Sequence, residues 1–186
     1  RAELAESNTD MDSYLASLDM TIRFAPFDAI SRSRIAQLIN KSNQFNLTTK
    51  RYTEADVASM DDDTDLFTLQ VRLEDCFGDN GMISVVICRK QDAFWDIETW
   101  LMSCRVLGRK VEQAVLQEIA SRASNDGATE LRGCFVPTGR NELVADHYES
   151  LGFSAAGEQG DNTLWSLNLN DFRTDPPPMK VVRADG

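Results

Sequence analysis

The sequence predicts an α/β domain built on a mixed β-sheet flanked by helices. Three observations predict it. Three strand-like runs follow one another with no helix between them, and an amphipathic helix then leads into a further strand. The composition, 42% hydrophobic and 26% charged, is that of an ordinary globular chain. At 186 residues the length suits one domain with an extra arm at either end.

Residues 1–19 read as a polar lead-in and a short helix, "TDMDSYLASLDM". "MTIRFAPF" is a first strand from Met20 to Phe24, stopped by Pro26. "SRSRIAQLINKSNQF" sets Ile35, Leu38, Ile39 and Ser42 on one helical face. In "YTEADVASM", Thr53 with Asp56 three residues on resembles a capping box, so a second short helix follows.

"DLFTLQVRL" alternates Phe67, Leu69, Val71 and Leu73 with polar partners, the pattern of a half-buried strand. "EDCFGDNG" carries turn chemistry, strongest at Asn80-Gly81, and predicts a hairpin into "MISVVICRK". "WDIETWLM" is the third strand in succession. Val111, Val115, Ile119 and Ala123 recur every four residues, which makes residues 109–124 an amphipathic helix. "TELRGCFV" is a strand closed by Pro137. "NELVADHYESLGF" is a helix with Asn141 as N-cap and Gly152 as stop. "NTLWSLNL" is the last strand and "DPPPMKVVRADG" a tail. The order β-α-α-β-β-β-α-β-α-β(β) implies antiparallel pairing first and parallel pairing around the long helix.

A net charge of −11 argues against broad binding to nucleic acid or to an anionic membrane. No apolar run reaches the roughly 18–20 residues that span a bilayer. The polar start, "RAELAESNTD" without an initiator Met, shows no signal peptide and reads as a cut from a longer chain. Four scattered cysteines and one histidine give no metal-ligand spacing, so no metal is expected. A reduced, cytoplasmic protein is the expectation.

Against this acidic background, "LMSCRVLGRKVEQAVLQEIA" holds Arg105, Arg109 and Lys110 with no acid between Leu101 and Val111. The junction of a strand with a following helix is where phosphates bind in many α/β proteins. The alternative is a solvated basic turn that balances acids elsewhere.

The element order, this loop and the late run Asn141, Ala145, Tyr148, Glu149, Leu151, Gly152, Phe153 together resemble the GNAT acyltransferase fold. In that family the Asn lies near the cofactor, and the Tyr often protonates or hydrogen-bonds the departing thiolate. A closer resemblance is carried by "INKSNQFNLTTKRYTEADV", "FGDNGMISVVI", "MSCRVLGRKVE" and "VPTGRNELVADHYESLGF". These look like the C-terminal GNAT-like domain of FkbH-type proteins, which pair it with an N-terminal HAD-like phosphatase domain. The match covers residues 19–170. It implies residues 1–19 as a linker or helix from a preceding HAD-like domain, residues 20–170 as the GNAT-like domain and residues 171–186 as a tail.

The resemblance implies transfer of a glyceryl-type acyl unit onto the phosphopantetheine thiol of an acyl carrier protein, in polyketide or other secondary-metabolite assembly. The partners implied are that carrier protein and the HAD-like domain. The cofactor is carrier-borne phosphopantetheine or coenzyme A. The family's cofactor loop, R/Q-x-x-G-x-G/A, needs small residues so that backbone N–H groups reach the pyrophosphate. One register places Arg105 and Gly108 on its first positions and Lys110 on a small one. A second places Leu107 first and Lys110 and Glu112 on the small positions. In both, side-chain bulk weighs against coenzyme A in the family's ordinary pose.

The cofactor-binding candidates are therefore Arg105, Leu107, Gly108, Arg109, Lys110 and Asn141. Cys104, at the expected end of a strand, is the candidate nucleophile that would hold the acyl group as a thioester; the alternative is a buried strand-end cysteine. Tyr148 is the candidate general acid, or else packs with Val144 and Leu151. His147 shares a helical face with Leu143 and is expected to pack. The polar segment with Asn43, Gln44, Asn46, Thr48, Thr49, Arg51 and Tyr52 covers the acceptor side in GNAT folds. Asn43, Asn46 and Thr48 are its substrate-binding candidates, against a role in capping and turning. Two other readings stand beside acyl transfer: a non-catalytic module that docks the carrier protein, and a CoA-dependent N-acetyltransferase.

Overall fold

The period-two runs in the middle of the chain form the centre of an eight-stranded sheet. The computed structural model describes residues 2–184. In chain order the elements are α1 (Ala2–Ser17), β1 (Thr21–Ala25), α2 (Arg32–Lys41), α3 (Glu54–Met60), β2 (Leu66–Asp75), β3 (Gly78–Lys90) and β4 (Phe94–Met102). After a 3-10 turn at Cys104–Val106 come α4 (Val111–Asn125) and β5 (Glu130–Phe135). A second 3-10 turn at Glu142–Val144 leads to α5 (His147–Ser150), β6 (Ser154–Gln159), β7 (Asn162–Asn168) and β8 (Lys180–Arg183). Across the sheet the order is β6-β7-β5-β4-β3-β2-β1-β8. β1 to β4 pair antiparallel in succession, and β5 joins β4 in parallel across the α4 crossover.

Each face of the sheet buries its own helices. Val111, Val115, Ile119 and Ala123 of α4 are all fully buried in one core, with Leu69, Leu73, Trp95 and Trp100. On the other face Ile35 and Ile39 of α2 and Val57 of α3 meet Met82, Val85, Ile87 and Leu101. Thr53 and Asp56 form the expected capping box: Thr53 Oγ1 accepts from Asp56 N, and the Asp56 carboxylate accepts from Thr53 N.

Three local expectations are corrected. The β2–β3 turn falls at Cys76-Phe77, where the Asp75 carboxylate accepts from Phe77 N at 2.8 Å. Asp75 supplies the turn bond two residues on, and Asn80-Gly81 forms a bulge within β3, with Gly81 at φ 71°. The helix expected over 141–153 breaks into the 3-10 turn and the four residues of α5, and the Asn141 amide does not cap but bonds to Asn46 O, in the α2–α3 connection, and to Val136 O, just beyond β5. Gly152, at φ 95°, ends α5 as expected. Ser154–Gln159, an exposed run with no apolar alternation, is held in the sheet by its pairing to β7. Finally, the segment read as a tail contributes β8, parallel to β1. Arg183 pins it there, donating to both carboxylate oxygens of buried Glu118 on α4 at 2.9 and 3.0 Å.

The feature that positions the candidate site is a fork. β4 and β5 pair only from Phe94–Ile97 and Glu130–Gly133, and then part. The Tyr148 ring fills the crotch: a Cβ built on Gly133 would lie 2.4 Å from Tyr148 Cζ. Gly133→Ala should therefore lower stability by about 1–3 kcal/mol through overpacking. In a Tyr148→Leu background the same change should cost much less. Urea midpoints at unchanged slope measure both.

Candidate functional site

Parted strands expose unpaired backbone edges, and buried backbone groups need partners. Here the chain supplies them. Residues 45–48, between α2 and α3, run through the fork. Met102 N donates to Phe45 O at 3.0 Å, and Leu47 N donates to Trp100 O at 3.1 Å. Val136 N, just beyond β5, donates to Leu47 O at 2.9 Å. Thr48 Oγ1 donates to Glu98 O at 2.9 Å. Asn141 clamps the arrangement. Its Nδ2 donates to Asn46 O (2.9 Å) and Val136 O (2.8 Å), and its Oδ1 accepts from Thr138 N (2.9 Å).

A cavity lies at each end of this segment. The first, about 910 Å³, opens at the C-terminal end of β4 and is lined by Phe45, Met102, Arg34, Lys41, Asn43, Gln44, Ser103, Cys104, Arg105 and Arg140, among others. Four cations face it, and no carboxylate lines it. Among the described residues none of the four is in an ion pair. Arg34 donates to Gln37, and Arg105 to Ser103 Oγ and Asn80 O, all neutral acceptors. The second cavity, about 640 Å³, is lined by Thr48, Val136, Asp96, Glu98, Glu130, Arg132, Cys134 and Trp165, among others. Burial raises the carboxyl of Asp96 and the thiol of Cys134 above their ordinary values.

The structure brings some of the sequence-predicted residues together and separates others. Cys104 opens the 3-10 turn after β4 and is exposed, with Sγ 3.5 Å from Gln44 Oε1 in the first cavity. Arg105 and Asn43 line the same cavity. Arg109 instead pairs with Asp75 at 2.5 Å, and Lys110 with Asp12 at 3.4 Å. The Asn80 amide, the Arg109 guanidinium and the Phe77 N–H together hold the Asp75 carboxyl below its usual range. Leu107 is partly exposed and Gly108 stands at φ 79°. Asn43 Oδ1 accepts from Arg51, whose guanidinium also bonds Ile39 O and Ser42 O. Asn46 and Thr48 are buried in the fork, and Tyr52 N bonds Asn40 Oδ1.

Tyr148 is buried on α5, lines neither cavity, and its hydroxyl has no partner. Burial pushes that hydroxyl well above the ordinary tyrosine value. His147 packs edge-on against Phe45 and Trp100. Arg34, Lys41 and Arg140 were not singled out from sequence. The available signal was the spacing of Arg34, Leu38 and Lys41 along one face of α2.

The loop that leads into α4 does not fit a pyrophosphate in the pose the GNAT resemblance implies. Two of its three cations are held by aspartates. The helix N-terminus, which favours an anion, already carries Glu112. One carboxylate oxygen of Glu112 is buried without a partner, and burial raises its pKa against the effect of its own N–H. Lys110, in the left-handed region at φ 61°, stands where a small residue would be needed. Among the described residues no cluster of three or more His, Cys, Asp or Glu stands ready for a metal ion. No helix there is long and apolar enough to cross a membrane.

The sequence matches no protein-family model and no curated protein. Solved structures give the fold. Spermidine N-acetyltransferase from Vibrio cholerae, in complex with CoA and spermine, superposes with a TM-score of 0.61 at 13% identity, over 82% of this chain and 96% of that one. The GNAT domain of S. lividans PAT gives 0.61 at 14%, over 78% and 89%. The ribosomal-protein-S18-alanine N-acetyltransferase from Escherichia coli gives 0.59 at 13%, over 80% and 94%. The fold is that of the GNAT acetyltransferases.

Burial lowers the His147 pKa from 6.5 to about 3. The unfolded chain therefore takes up a proton below about pH 6.5 that the folded chain refuses. The stability this gives is whole above pH 6.5 and is lost as the pH falls towards 3. Between pH 7 and 4 the loss attributable to His147 should be about 3 kcal/mol. A His147→Phe variant, compared by denaturation across that range, should lack this part of the slope.

Proposed function

We propose that this is an acyl-handling domain whose Cys104 cavity receives the phosphate-bearing end of a thioester carrier. One observation carries the reading. In a chain of net charge −11, four cations without carboxylate partners surround one cavity, and an exposed thiol stands on its wall. Arg and Lys without acidic partners are what a phosphate requires. A cavity of this size suits a ligand larger than an inorganic ion.

The resemblance to FkbH-type proteins supplies the substrate class. The acyl unit is of the glyceryl type, the acceptor is the phosphopantetheine thiol of an acyl carrier protein, and an HAD-like domain is the working partner. Carrier proteins are generally acidic, so Arg34, Lys41, Arg105 and Arg140 would steer docking as well as hold phosphate. In the chemical step Cys104 Sγ attacks the carbonyl of an acyl phosphate donor, the bond from that carbonyl to the phosphate oxygen breaks, and the thiol proton leaves with the phosphate. The carrier thiol then attacks the Cys104 thioester, and its proton returns to Sγ.

A docking module without catalysis is the second reading. It is favoured by the surroundings of Cys104, whose hydrogen-bond partner Gln44 cannot take a proton. A CoA-dependent N-acetyltransferase is a third, favoured by the neighbours of the same fold, one of which is described with CoA and spermine. Glu112 at the α4 N-terminus, with one carboxylate oxygen buried, opposes it.

Titration at low salt with coenzyme A, phosphopantetheine and a holo carrier protein separates the three, since exposed phosphate contacts are screened by salt. Arg105→Ala and Arg140→Ala should each weaken carrier binding roughly 10–100-fold, whereas Arg109→Ala should leave it unchanged. Cys104→Ser should bind normally and fail to take an acyl label. Unchanged binding in an Arg34/Arg105/Arg140 triple alanine variant would sink the proposal. Acyl transfer that survives Cys104→Ser would leave the docking module in its place.

A further inference from the structure

We propose that residues 45–48 are a resident plug, latched by Asn141, whose departure joins the two cavities into one passage between β4 and β5. The inference stands on the fork and not on the function proposed above. It holds whether or not Cys104 carries an acyl group.

The plug separates the cavities by position. Phe45 lines the first and Thr48 the second, and between them Asn46 and Leu47 are fully buried. The segment bonds to both arms of the fork but makes only an isolated bridge, Asn46 to Leu101, and no continuous ladder. It can therefore leave without dismantling any strand.

Two independent observations show that its closed position is poised. The first is strain at the exit. Thr49, a β-branched residue, is held at φ 56°, where its Cβ meets the backbone. Such conformations persist only where their surroundings impose them. The second is a set of buried polar atoms that the closed state leaves unmatched. Thr49 Oγ1, Trp100 Nε1, His147 Nε2 and Tyr148 Oη have no partner among the described residues. Three of these groups are one cluster centred on His147, which Phe45 joins through that ring alone: His147 lies 5.2 Å from the ring of Phe45, 4.4 Å from that of Trp100 and 5.3 Å from that of Tyr148. Buried polar groups are ordinarily paired, and each exception needs a reason. Here the reason is a closed state whose polar groups are met by solvent or ligand on opening.

The latch is the Asn141 amide nitrogen, which ties Asn46 O to Val136 O. Its oxygen has the separate task of holding Thr138 N. Asn141→Asp removes the donor and keeps that acceptor, so it releases the plug without unmaking the 138–141 turn. Opening frees Trp100 C=O, Met102 N–H and Val136 N–H towards the passage.

Native-state hydrogen exchange of the full chain, without ligand, tests this. The amides of Leu47, Met102 and Val136 should exchange together, at least tenfold faster than amides in the centre of β3. Asn141→Asp should speed those three tenfold or more and leave β3 unchanged. Thr49→Gly, which adopts φ 56° freely, should slow them several-fold. If the three amides exchange with β3 in the native protein and in Thr49→Gly, the segment is a fixed part of the sheet and the proposal is overturned. If Asn141→Asp unfolds the chain and speeds every amide, Thr49→Gly decides. The cation variants bear only on ligand binding, so the two readings fail separately.

Discussion

The middle of this molecule is arranged around the early parting of β4 and β5. A parallel pair that stops after four residues leaves the inner edge of each strand without a partner, in the middle of a buried sheet. Backbone groups there must be paired or hydrated. Residues 45–48 pair them, and so the connection between α2 and α3 is drawn through the sheet when it would otherwise run over the surface. Asn141 is buried because its amide must reach both the plug and the end of β5. Gly133 has no side chain because the Tyr148 ring fills the base of the fork. The two cavities are what remains at either end once the gap is filled.

Charge follows the same geometry. Acids outnumber bases 30 to 19, and most cations outside the first cavity find one. Arg109 meets Asp75, Lys110 meets Asp12, Arg132 meets Glu130, and Arg183 meets Glu118. In such a chain a turn that merely balanced acids would be neutralised, as Arg109 and Lys110 are. Arg34, Lys41, Arg105 and Arg140 come from α2, the β4 turn and the loop after β5, and they converge where no carboxylate stands. A local positive field on an acidic protein orients an anionic partner and repels little else.

Much of the fold was legible because its signals are local. The alternation in β2, the four-residue repeat of α4 and the Thr53–Asp56 box each bury or bond what the pattern says they should. The misreadings share a cause, in that distant partners override local propensity. Asn141 looks like a cap, yet its bonds go to Asn46 and Val136. Asn80-Gly81 looks like a hairpin turn, yet Asp75 takes the turn and claims the Asn80 amide as well. The tail carries no strand pattern of its own; β1 and Glu118 give it one. Of the site, Cys104 and Arg105 were readable at the strand end. Arg34, Lys41 and Arg140 were not, since only the fold brings α2 and residue 140 to that end of β4.

The same fold therefore does not imply the same ligand pose. Two places that could take a ligand are held by the chain itself. At the N-terminus of α4 the first-turn acid is Glu112, one of whose carboxylate oxygens is buried without a partner. In the fork the strand-like amides are supplied by residues 45–48. Each substitute offers the chemistry its surroundings call for, an acid at a positive helix end and alternating donors and acceptors between two strand edges. With both positions filled, the architecture is kept and neither position is open to a ligand in this structure. The position left open, with cations unpaired and a thiol exposed, is the cavity at Cys104.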